Sequence, residues 1–315
     1  MGEAKDPIYT SYIVNCVFNA FSSYTAVVLN ILTIHAMRKT SSLPKPLKTL
    51  LLSLAVSDLG VGLLVQPLHI AWMITPTYFT VTSLHIVAPL FVNASFFSVV
   101  AISVDRFLAI HLHLRYQEIV THKRAVAAVI SIWMLSAFLP LIIALRIPRV
   151  VGQVGDTVFA IIFGVGFVCT TLIYCRIYFI ARRHTTQIQA LQVEQGERQN
   201  GKMRNFVRQK KSTISTFYVY LAFLFCCLPE YCASVVGKFL APSSALNDLL
   251  LYLGTLLLFN SSLNPVVYCW KMSHIRHAIM DILRNILPNR NWTKLGYWLD
   301  NWLLSSLLPQ TIHFA

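Results

Sequence analysis

Charge is scarce in this chain. Only 12% of its 315 residues are Asp, Glu, Lys or Arg, about half the share that a soluble domain carries. With 56% hydrophobic residues, a soluble fold of this length has too little polar surface to cover its apolar atoms. The sequence also lacks a Cys-x-x-Cys pair, an internal repeat and a low-complexity run. The repeated histidine boxes of membrane oxidases are absent, and so are the doubled halves and broken, centrally charged helices of transporters, which argues against both of those membrane classes. His111-x-His113 and His274-x-x-His277 fall at helix ends, where a solvated histidine near backbone carbonyls is a commoner arrangement than a metal ligand. The seven cysteines Cys16, Cys169, Cys175, Cys226, Cys227, Cys232 and Cys269 all lie inside or at the ends of apolar stretches and read as reduced thiols, so no disulfide is expected. No charged-then-apolar leader with a cleavage site precedes the first long apolar stretch, which is expected to act as its own signal anchor.

What the sequence does have is a series of apolar runs, each long enough to cross a hydrocarbon layer of about 30 Å. They fall near 9–37, 47–73, 80–111, 125–145, 157–181, 212–238 and 247–269. The fold class predicted is an all-α membrane protein, a seven-transmembrane helix bundle. The net charge of +14 alternates with the runs. Arg38, Lys39, Lys45 and Lys48 fill one connection; Arg115, Lys123 and Arg124 fill another; more basic residues crowd 182–211 and follow Trp270. The intervening connections hold only Arg146, Arg149 and Lys238. This asymmetry follows the positive-inside rule and predicts an extracellular N-terminus and a cytoplasmic C-terminus. It accounts for the basic charge without any nucleic-acid partner.

Beyond the last run, Ile275, Ile279, Ile282, Leu283 and Ile286 recur at helical spacing among Arg276, His277 and Arg284. That spacing predicts an amphipathic helix on the inner leaflet, ended by Pro288. The division expected is a short extracellular N-terminus over 1–8, a bundle over 9–270, the amphipathic helix over 271–288 and a cytoplasmic tail over 289–315. The tail carries Trp292, Trp298 and Trp302, suited to a membrane interface. The polar segment 184–209 reads as a cytoplasmic loop that prolongs the helices on either side.

Polar groups inside apolar spans are expensive and mark function by default. Asn30, Asp58, Ser95, Asn260 and Asn264 sit near one depth and face inward. A buried carboxylate stays ionised only when paired or coordinated. Asp58 therefore either holds a cation or is protonated and hydrogen-bonded to Asn264.

Leu54 to Asp58, Asp105-Arg106-Phe107, Trp133, Phe223-x-x-Cys226-x-x-Pro229 and Asn264-Pro265-x-x-Tyr268 each stand on their own span and in order. Over roughly 10–285 this pattern resembles the rhodopsin-like G-protein-coupled receptors, closest to the melanocortin, adenosine and lipid-receptor branch. The resemblance implies a non-enzymatic plasma-membrane receptor that passes an extracellular ligand signal to a heterotrimeric G protein. It implies no cofactor beyond an allosteric sodium ion held by Asp58, Ser95, Asn260 and Asn264. It makes Arg106 the group released on activation from its neighbour Asp105. Tyr174 and Tyr268 would stabilise the open cytoplasmic face, and Leu114 would enter a hydrophobic pocket of the Gα subunit, ordinary packing being the alternative for that leucine.

Departures from the family pattern matter as much. Gln209-Lys210-Lys211 stands where many relatives have an acidic residue that restrains the arginine, so basal activity is expected. Cys227 replaces the usual tryptophan two residues before Pro229, and Gly164 and Gly166 lie where relatives have a proline. No cysteine opens the third span or occupies the short outer connection over 146–156, so the family's usual disulfide is excluded. Ala88, five turns before Arg106, removes the carboxylate that amine receptors use. Glu230 and Tyr231, with His69, Trp72 and His85 on other spans, form the candidate ligand pocket. Glu230 is open to two readings, an anchor for a polar or cationic ligand group or a tie between helices. Ser234 occupies the position of an adenosine-binding asparagine, which speaks against adenosine. The alternative function is a constitutively active receptor that needs no diffusible ligand.

Overall fold

The computed structural model describes residues 7–40, 43–112, 115–144, 149–192, 200–241 and 243–286. Leu114, His113, the first six residues and the tail from 289 onward lie outside them. The bundle helices are α1 (Pro7–Lys39), α2 (Lys45–Ile74), α3 (Tyr78–Leu112), α4 (His122–Ala144), α5 (Arg149–Gln192), α6 (Asn200–Gly237) and α7 (Ser244–Lys271), followed by the shorter α8 (Ser273–Ile286). A single helical turn, Tyr116–Ile119, bridges α3 and α4. Six of the helices are long and apolar enough to cross a membrane among the described residues. The seventh, α4, has 23 residues with no charged side chain after Arg124. Helix is the form that such runs must take, because hydrocarbon offers backbone N–H and C=O groups no other partners.

α3 is the central helix, packing against α2, α4, α5 and α6, while α1 closes the ring against α7. The helices exceed the predicted spans at both ends, except that α4 and α6 end one residue short of the expected C-terminal bounds. α5 and α6 run into the polar segment between them, as expected from its composition. The outer connection anticipated over 146–156 is mostly helix, since α5 begins at Arg149. No proline follows Pro148 until Pro229, so nothing in that stretch removes a helical donor.

α2 contains one π-helical turn, Val61–Val65, in which the Gln66 N–H bonds to Val61 O. In that register the next carbonyl, Gly62 O, faces Pro67, which has no N–H to give. The Ser23 hydroxyl of α1 supplies the donor instead, at 2.7 Å. Gly62 permits this approach, because a Cβ there would lie 3.0 Å from the Ala26 side chain and 3.2 Å from Ser23 O. α8 turns Ile275, Ala278, Ile279 and Ile282 into the core formed with Ala36, Met37 and Leu47. Its amphipathic face is thus covered at least in part by the bundle itself.

Phe96 on α3 lies at the centre of an aromatic cluster. It stacks on Phe163 with ring centroids 4.1 Å apart and meets Phe167 edge-on and Phe223 at a tilt. Gly166 makes room for it, since a Cβ at that position would stand 2.5 Å from the Phe96 ring. Hemmed in by three other rings, Phe96 has nowhere to swing. Gly166→Ala is therefore expected to destabilise the protein by about 1–3 kcal/mol through overpacking. Adding Phe96→Leu to Gly166→Ala should recover most of the loss in melting temperature. Failure of the double variant to recover would remove the clash as the cause.

Candidate functional site

Asp58, on α2, is fully buried. Asn264 Nδ2 donates to its Oδ2 at 2.8 Å and Ser95 Oγ to its Oδ1 at 3.2 Å. Ser95 also reaches Ser57 at 2.9 Å, and Ser261 faces the same carboxylate. Asn30 ties α1 into this level by donating to Ser261 O at 2.9 Å. A small cavity adjoins the cluster, lined in part by Ser95, Asn260, Ser261, Phe223 and Cys227. Room for the centre of an occupant is about 10 Å³, close to what one water-sized species needs. The side-chain oxygens of Asn260 and Asn264 are buried and have no donor. Buried acceptors left without donors, beside a carboxylate and two hydroxyls, fit a hard cation that prefers several oxygen ligands. The four residues predicted from sequence thus fall in one region, with Ser261 added.

The second cluster closes the end of the bundle at which α3 meets the turn Tyr116–Ile119. Arg106 is 1% exposed and Asp105 4%. Arg106 Nε donates to Asp105 Oδ2 at 2.9 Å, and its Nη2 makes a further bond to the same oxygen. Tyr116 OH donates to Asp105 Oδ1 at 2.7 Å and accepts from Arg106 Nη2 at 3.4 Å. Burial holds the Tyr116 phenol well above its ordinary titration range, and the Asp105 carboxylate adds to this, so it remains a donor. Among the described residues, the tie between Arg106 and α6 is to the Ser212 hydroxyl, 3.3 Å from Nη1. Where a carboxylate would hold the guanidinium with a charge-assisted bond, a neutral hydroxyl does so more weakly.

Between the clusters stand two buried tyrosines. Tyr174 on α5 accepts from Ser103 at 3.3 Å and stacks on Tyr220 with ring centroids 5.0 Å apart. Tyr268 on α7 is 1% exposed, and its hydroxyl has no partner. Pro265 follows Asn264 inside α7, and Pro229 lies inside α6. Both interrupt the backbone donor series at positions where a helix most easily bends.

The outer residues are less closely joined. Glu230 is bonded within its own helix, Ser234 Oγ donating to it at 2.6 Å. Tyr231 reaches α5, its hydroxyl donating to Ala160 O at 2.8 Å, and Gly164 gives that hydroxyl space. His69 packs against Trp72 with centroids 5.4 Å apart. His85 bonds within α3 to Val81 O at 2.8 Å. Ala88 joins Leu84, Val87, Phe91 and Val92 in an apolar patch. Among the described residues no hydrogen bond links Glu230 to the histidines or to Trp72.

Sequence reasoning missed Ser261, Tyr116 and Ser212. Ser261 carried a signal, since it lies one turn before Asn264 on the same helical face. For the other two, only the packed bundle brings the hydroxyls to Arg106. All seven cysteines are free thiols.

Comparison with known proteins adds two findings. The chain matches the family described as 7 transmembrane receptor (rhodopsin family) over residues 29–150 and 150–268. It is 28% identical over 284 residues to adenosine receptor A3 of Ovis aries, covering 82% of this chain and 86% of that receptor. With adenosine receptor A3 of Canis lupus familiaris it shares 26% identity over 287 residues, covering 83% of this chain and 88% of the relative.

Proposed function

Given that the chain belongs to the rhodopsin family of seven-transmembrane receptors, we propose that it couples an extracellular ligand to a heterotrimeric G protein by moving its cytoplasmic helix ends. The protein is a multi-pass membrane receptor and not an enzyme. The observation that carries the proposal is the buried Asp105-Arg106-Tyr116 cluster, tied to α6, among the described residues, by the neutral hydroxyl of Ser212. A guanidinium so placed becomes available to a partner once α6 moves aside, and Tyr174 and Tyr268 stand beside the gap. The N-terminus faces outward and the chain sits in the plasma membrane, with the basic connections on the cytoplasmic side.

Asp58, Ser95, Asn260, Asn264 and Ser261 would hold a sodium ion. That ion would supply a positive charge stabilising the ionised form of Asp58 in the resting arrangement. The ligand enters from the outer side, where Glu230 offers an acceptor for a polar or cationic group. The A3 adenosine receptors named above suggest a nucleoside, but Ser234 stands where the adenosine-binding asparagine is expected, and a different small molecule, lipid or peptide fits this chain better.

A second reading, signalling without a diffusible ligand, draws on Gln209-Lys210-Lys211, which offers Arg106 no carboxylate from α6. Second-messenger output in cells given no ligand is accordingly expected to exceed that of mock-transfected cells. It should fall to the mock level with Arg106→Ala. A flat baseline at verified surface expression would refute basal coupling.

A further inference from the structure

We propose that Lys271 and Tyr218 are positioning residues that hold α6 against the end of α7 and take over the restraint that an acidic residue on α6 would otherwise provide. The inference rests on the receptor reading above. Lys271 is the last residue of α7, and its ammonium lies 3.5 Å from the Trp270 ring centroid and 4.1 Å from that of Tyr218 on α6. The two rings themselves meet at 5.3 Å. One cation thus bridges an aromatic from each helix, with all three side chains half-buried.

A second contact works at the same place. Ser215 of α6 donates to Lys271 O at 3.1 Å. The last carbonyls of a helix have no partners within it, so α6 is capping the C-terminus of α7. If α6 swings outward, Lys271 O loses its donor and the ammonium loses one of its two rings. Both losses fall on the resting arrangement alone, which is what a restraint on activation requires.

These contacts also explain how a receptor in which, among the described residues of α6, Ser212 alone bonds Arg106 keeps the arginine almost fully buried. The closing force is spread from the centre of the cytoplasmic face to its rim. A cation over aromatic faces suits that rim, because partial burial strengthens the interaction while the stem of Lys271 packs against the rings.

The test uses the full-length purified receptor with Cys169, Cys175 and Cys232 replaced, carrying spin labels at Ile119 and Ile214. Those two positions are 40% and 46% exposed and take no part in the contacts described. Lys271→Met keeps the stem and removes the charge, and Tyr218→Leu removes the ring. Either change is expected to raise the population of long label separations by about threefold to tenfold, and each should raise ligand-free signalling in cells. Lys271→Arg, which keeps a cation over the rings, should retain the short separations. Combining Lys271→Met with Tyr218→Leu should add little to either alone, because both break one contact. Unchanged distances in both single variants, or fully additive effects in the double variant, would overturn the proposal. Longer distances without any rise in signalling would sustain the restraint and count against G-protein coupling instead.

Discussion

Asp105→Asn is expected to lower the stability of the receptor by about 3–5 kcal/mol while raising its ligand-free signalling. The reason lies in what the substitution leaves behind. Arg106 is 1% exposed and donates twice to the Asp105 carboxylate. An asparagine keeps the shape and one acceptor but removes the charge, so a buried guanidinium is left with neutral partners, the amide oxygen and the hydroxyls of Ser212 and Tyr116. A charge in that position favours any arrangement that gives it water or an anionic partner, and outward movement of α6 does so. Tyr116→Phe is the informative comparison. It removes the phenol's bond to Asp105 and its longer contact from Arg106 Nη2 and should cost about 1.5–3 kcal/mol, since both are to charged groups. Melting temperatures of the two purified variants rank them. Equal losses would mean that the carboxylate contributes through Tyr116 alone and that Arg106 is satisfied without it.

The largest ligand-dependent effect is expected at Asp58. Sodium should raise the melting temperature of the purified receptor above that in a matched salt of a large organic cation. At about tenfold its Kd, an ion that binds only the folded resting form adds roughly 1.4 kcal/mol. Asp58→Asn retains the size of the side chain and its capacity to bond Asn264, yet it offers the ion no negative charge. The sodium-specific increment should vanish in that variant while the protein still folds. Asn260→Ala should reduce the increment without abolishing it, because it takes away one donor-free oxygen and leaves the carboxylate. If Asp58→Asn shows the same increment as the parent, the cluster is a hydrogen-bonded tie between α2, α3 and α7 and not an ion site.

Much of this was legible in the order of residues because a bilayer makes polar groups costly. Asp58, Asn260 and Asn264 stood out against apolar runs before any contact was known, and the structure places them in one region. The same cost made the helices legible, although not their ends. The π-helical turn at Val61–Val65 depends on where Ser23 of another helix stands, and nothing in the local sequence distinguishes it from ordinary helix before a proline. Tyr116 and Ser212 were illegible for the same reason. Hydroxyl side chains near a membrane surface are commonplace, and only the approach of α3, α6 and the short turn to Arg106 gives these two a role. The outer residues were the least predictable. Glu230 was open to two readings, and Tyr231, expected in the pocket, donates to Ala160 O, a bond set by how closely α5 approaches at Gly164.

The polar edge of α1 has a consequence for the making of the protein. Asn19 bonds Thr255, Ser22 bonds Ser262 and Asn30 bonds Ser261 O, so α1 finds its partners on α7, which is synthesised much later. At roughly 5–20 residues per second, α7 follows α1 on the order of tens of seconds later. During that interval the amides of α1 face lipid, earlier helices or the insertion machinery. Closure of the ring is therefore a late event in biosynthesis, and the polar edge of α1 must be sheltered until α7 arrives.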